Sequence, residues 1–100
     1  MPKAYIVAEL HDVKETDEFN EYRQRVAATV TAHGGRFLIR GGAARVLEGD
    51  GAAGTSVVVE FDSPKRAMAW YHSAEYQAIL PLRLRNSTGR VICVTGVPPA

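Results

Sequence analysis

A chain of 100 residues with 46% hydrophobic and 23% charged content has the size and composition of one modest globular core, expected to form a single domain over residues 1–100. The net charge is +1, with acids and bases interleaved. With no basic block to neutralise a run of phosphates and no apolar run near the roughly 20 residues that span a bilayer, neither nucleic acid nor a membrane is an expected partner.

The N-terminal Met1-Pro2-Lys3-Ala4-Tyr5 leads directly into a strand pattern and is not expected to act as a signal peptide. Ala4 to Leu10 forms the first strand, with Ile6, Ala8 and Leu10 on one face and Tyr5, Val7 and Glu9 on the other. Thr16 is an N-cap, and Asp17 and Glu18 place negative charge at the positive end of the helix that follows. Phe19, Tyr22, Val26, Val30 and His33 then recur at steps of three and four, one stripe of an amphipathic helix; Glu21, Arg23, Gln24 and Arg25 fall mostly outside it. Gly34 supplies the left-handed conformation that ends the helix.

Arg36 to Arg40 is the second strand, turned by Gly41-Gly42 and expected to resume over Arg45-Val46-Leu47-Glu48 before a glycine-rich tip. Thr55 to Phe61 is the third strand and the most strongly β-forming segment. Ser63-Pro64 marks a helix start, an N-cap followed by proline at the first helical position. Ser73 caps a further helical segment in which Pro81 should kink or restart the helix before it runs on towards Arg85. Arg90 to Val97 is the fourth strand. Cys93 is the single cysteine, so no internal disulfide forms and a cytoplasmic location is expected. Within Val91-Ile92-Cys93-Val94 it reads as a buried small apolar residue rather than a catalytic thiol.

The order βαββαβ predicts an α+β, ferredoxin-like fold: a four-stranded antiparallel sheet with its helices on one face. The other face is not polar, since Tyr5 and Val7, Val58, and much of the fourth strand point there. An apolar sheet face of several hundred Å² marks an interface, so the chain is expected to pair with itself, two sheets packed face to face.

The segments Glu21-Tyr22, His33-Gly34-Gly35-Arg36-Phe37-Leu38, Arg40-Gly41-Gly42 and Leu47-Glu48-Gly49 carry a resemblance to a known family. Val58-Val59-Glu60-Phe61, Ala69-Trp70-Tyr71, Ser73, Glu75-Tyr76 and Arg83 continue it in the family's order over most of the chain. The sequence resembles the uncharacterised domain-of-unknown-function family thirteen-thirty, of the dimeric α/β-barrel superfamily. The resemblance implies a ferredoxin-like protomer that pairs through its sheet. The superfamily also holds small monooxygenases, muconolactone isomerases, haem-dependent members and proteins without a known reaction, so the fold follows from it more firmly than an activity.

The ligand-binding candidates are Tyr22, Trp70, Tyr71, Tyr76 and Arg83, which sit where the helices cover the sheet, together with His33 and Arg40. An apolar, aromatic cleft with a few aimed polar groups is how small organic molecules are held. Arg83 could grip a carboxylate or enolate oxygen in two-pronged fashion while a tyrosine hydroxyl donates to it. The same aromatics could instead fill a small core. His33 ends the inward stripe of the first helix and reads either as a general base or haem ligand, or as a helix-end cap or packing residue. Alternation places Glu9, Arg40 and Glu60 on the face away from the helices, as an ion pair setting the dimer register or as a polar pocket within the barrel. No histidine pair has metal-ligand spacing, the glycines precede strands rather than helices, and no serine has nucleophile-elbow glycines, so neither metal nor cofactor is expected. Two functions remain: a small-molecule binder with cofactor-free oxygenation, isomerisation or proton-transfer chemistry, or a non-catalytic dimeric module.

Overall fold

The computed structural model describes residues 2–99. The first strand, β1, spans Ala4–His11, and its alternation is clean: Ala4, Ile6, Ala8 and Leu10 are buried. Helix α1, Asp17–Ala32, begins where the Thr16 hydroxyl accepts the Phe19 amide at 3.1 Å. It ends in a paired glycine cap: the Gly34 amide bonds the Thr31 carbonyl and the Gly35 amide reaches back to Val30, both at 3.0 Å, with Gly34 at φ +76°. At Gly35 a Cβ would lie 2.6 Å from the Phe61 ring, so the second glycine lets the chain pass tight against the core.

Strand β2 spans Arg36–Arg40 and β3 spans Thr55–Phe61. Helix α2, Pro64–Tyr71, is capped by Ser63, and α3, Ala74–Leu84, by Ser73, each hydroxyl accepting an amide at 3.2 Å. Strand β4 spans Thr88–Thr95. The sheet is antiparallel in the order β2-β3-β1-β4, the ferredoxin-like arrangement. Ile6, Val59 and Phe61 pack with Val26, Val30, Trp70, Tyr76 and Ile79 in one core, and Ala8, Leu10 and Phe19 form a smaller one beside it.

Four expectations are corrected. Arg45-Val46-Leu47-Glu48 forms no strand; after the Gly41 amide bonds the Ser56 carbonyl at 2.8 Å, the positive φ of Gly41 turns the chain off the sheet. Leu47, 86% exposed, finds no face to bury there. Pro81 does not restart the helix: it lies exposed within an unbroken α3, and the Arg85 amide resumes the ladder on its carbonyl at 3.0 Å. β4 begins two residues earlier than expected and also ends earlier, at Thr95. Cys93 pairs with Ile6 on the helix-facing side, yet it is exposed, on the edge strand β4.

A β-bulge has the largest consequence. Phe37 opposes Val59 and Ile39 opposes Val58, so Leu38 is an extra residue in β2. The slip reverses every side chain after it. Arg40 therefore pairs with Val57, which pairs with Ala8 on the helix side. The expectation that Arg40 shares the bare face with Glu9 and Glu60 is wrong for this reason. The bare face keeps Glu60, paired with Arg36 and, at 3.6 Å, with Lys3, while Glu9 bonds His11 at 2.7 Å.

Candidate functional site

Between the helix layer and the sheet lies a cavity of about 290 Å³. Its floor is apolar, made by Ile6, Ala8, Val57, Val59 and Val91 from three strands. Its roof comes from the inward stripe of α1, with Phe19, Tyr22 and Val26, and from Trp70 on α2 and Tyr76 and Arg83 on α3. Arg23, Arg40, Gly41 and Thr55, all exposed residues, mark where it meets solvent. The space is therefore not filled by the aromatics, which would have been required of a pure core.

The roof is held in place by its own hydrogen bonds. The Trp70 indole N–H donates to the Thr29 hydroxyl at 3.0 Å, and that hydroxyl donates to the Val26 carbonyl at 2.7 Å. The Trp70 and Tyr76 rings lie 4.1 Å apart between centroids, with Phe61 behind Trp70 at 5.6 Å. The Tyr22 and Tyr76 hydroxyls bond one another at 2.9 Å, tying α1 to α3 above the cavity. Burial, and then the neighbouring Tyr76 hydroxyl, push the Tyr22 phenol far above its ordinary range. At neutral pH it keeps its proton.

Arg83 is the unusual member. It is 8% exposed, and its Nε is buried without a hydrogen-bond partner. Burial opposes its charge, but the Tyr76 and Tyr22 oxygens more than offset that and hold its pKa above the ordinary value. No carboxylate among the described residues pairs with it, whereas the neighbouring Arg85 is matched by Glu18. Nor does the cavity lining contain an aspartate, glutamate, histidine or cysteine.

Of the seven candidates, the fold brings five together: Tyr22, Trp70, Tyr76, Arg83 and, through the bulge, Arg40 all line the cavity. Tyr71 does not; it packs behind the wall, with ring centroids 5.6 Å from Tyr76 and 6.1 Å from Trp70. His33 does not either. It is the C-cap of α1 and its Nε2 lies 3.2 Å from a Glu75 carboxylate oxygen, outside the cavity. Arg23 was missed, because one position beside Tyr22 it sits on the flank of the inward stripe. It lies over the Phe19 ring at 4.4 Å and is locked by Glu15 through two bonds of 2.7 and 2.8 Å. Among the described residues no group of three or more His, Cys, Asp or Glu side chains could hold a metal, and no helix is long and apolar enough to cross a membrane.

Known structures repeat this architecture. The RPA0582 protein of unknown function from Rhodopseudomonas palustris superposes with a TM-score of 0.71 at 14% identity, over 98% of this chain and 84% of that one. A structure of methylated RPA0582 gives a TM-score of 0.72 at 15% identity, over 98% and 82%. At such identities the likeness speaks for the fold alone. No curated protein matches the sequence. The family model described as Domain of unknown function (DUF1330) matches residues 3–97, nearly the whole chain, and the protein thus belongs to that family.

Proposed function

We propose that this protein binds a small organic acid in the cavity beneath α1 and α3, seating its carboxylate on Arg83 and its apolar body against the floor. The observation that carries the reading is the buried Arg83 guanidinium, whose Nε lacks a hydrogen-bond partner and which no carboxylate among the described residues matches, in a largely apolar cavity. An anionic ligand supplies the missing counter-charge, and the fixed planar fork of arginine suits a carboxylate. The Tyr22–Tyr76 hydroxyl pair donates to the same group. A lining without carboxylate, imidazole or thiol, and a phenol too basic to give up its proton, favour binding and orientation over proton transfer.

We further read the protomer as half of a homodimer joined through its bare sheet face. Ile39, Val58, Val7 and Ile92 pair in sequence across all four strands and form one apolar row on that side. Ile39 is 46% and Ile92 41% exposed in the single chain. The two acids flanking the row are already partnered, Glu60 by Arg36 and Lys3 and Glu9 by His11.

Thermal unfolding with added hexanoate tests the ligand reading. Hexanoate is expected to raise the melting midpoint progressively with concentration, by mass action, while methyl hexanoate, equal in apolar body but uncharged, leaves it unmoved. Equal shifts with acid and ester would mean that the cavity binds grease and that Arg83 has no part in it.

A further inference from the structure

We infer that the ligand of this cavity carries a second oxyanionic group, met at the cavity mouth by Arg40, so that the ligand class is a short dicarboxylate. The inference rests on the organic-acid reading above and extends it to the other end of the ligand. Three observations support it. First, β2 breaks register at Leu38, and the result is that Arg40 lines the cavity instead of facing away from it. Bulges that re-aim a side chain are a recurrent device beside binding sites.

Second, Arg40 is held in place rather than waving in solvent. Its guanidinium lies over the Phe37 ring at 4.5 Å, and its Nη2 donates to the Arg23 carbonyl at 2.7 Å. Such a fork loses little freedom when an anion docks. Third, of the two arginines at the mouth only Arg23 has its charge matched, by Glu15. Arg40 has a carbonyl and an aromatic face for neighbours but no carboxylate among the described residues. Two unmatched cations, Arg83 inside and Arg40 at the mouth, therefore border one apolar space. A cavity of about 290 Å³ suits a short chain between two carboxylates better than a long one.

The test is calorimetric titration at low salt with the dicarboxylates from glutarate to suberate, each beside the monocarboxylate of equal carbon count. At least one dicarboxylate is expected to bind tenfold or more tightly than its partner. Arg40→Gln should bring the ratio of that dicarboxylate's affinity to its monocarboxylate partner's close to one; Arg40 is exposed, so the fold tolerates the change. Monocarboxylates that bind while no dicarboxylate gains would overturn this inference and leave the organic-acid reading standing. So would a dicarboxylate advantage that survives Arg40→Gln. If no acid of either kind binds, both fall.

Discussion

Replacing Arg83 with methionine should make the ligand-free protein more stable and at the same time unable to bind an acid. Methionine keeps much of the side-chain volume and adapts to irregular space, while the change removes a charge buried among Tyr22, Trp70 and Tyr76 without a counter-ion. Exchanging buried charged groups for apolar ones of similar volume stabilises by about 1–4 kcal/mol where packing is kept. For a domain of this size even the lower end of that range moves the melting midpoint up by roughly 4–8 °C. Binding should move the other way. A charged, two-pronged contact contributes about 2–3 kcal/mol, so hexanoate affinity should drop roughly 30- to 150-fold. The opposite signs are the informative part. A residue kept for structure loses stability when replaced, whereas one kept for a ligand relieves strain in the empty protein. A methionine variant several kcal/mol less stable would make the guanidinium a tie between the tyrosines.

The second large effect concerns the bare sheet face. Val58 lies in the middle of its apolar row, between Val7 on β1 and Ile39 on β2. Val58→Glu should convert a wild type that sediments at twice the protomer mass into a monomer at the same micromolar concentration. In the single chain the new carboxylate is solvated and costs little. Between two sheets it would be buried in the apolar row beside Val7 and Ile39, a penalty of several kcal/mol, which is about a thousandfold in dimer affinity. The variant monomer should keep the helix–sheet cavity, which lies on the other side of the sheet. A wild type that sediments as a single protomer would remove the dimer, as would a variant that still pairs.

Much of the fold was legible because its signals are local. Thr16, Ser63 and Ser73 each accept the amide three residues on, as an N-cap must, and the alternation from Ala4 to Leu10 places each residue on its proper face. What failed depended on partners distant in the chain. Nothing near Leu38 announces the bulge, which is a property of how β2 meets β3, and with it went the side of the sheet that Arg40 faces. Cys93 has the sequence neighbours of a buried residue, but it is exposed on β4, the edge strand of the sheet. Arg45 to Glu48 has strand-like residues and no strand to pair with. In the site, the helical period singled out Tyr22, and the aromatic clusters singled out Trp70 and Tyr76. Arg83 could be named as a candidate, but its burial without a counter-charge exists only once α1 and α3 are packed.

The Arg83 Nε–H proton reports on the central claim most directly, since Nε is the one buried side-chain nitrogen or oxygen left without a partner among the described residues. In protein labelled with ¹⁵N-arginine, assigned by comparison with Arg83→Met, this resonance should move downfield as hexanoate is added and stay in place with methyl hexanoate. Saturation by hexanoate with the Arg83 Nε–H signal unmoved, or no binding of the acid at all, would contradict the account.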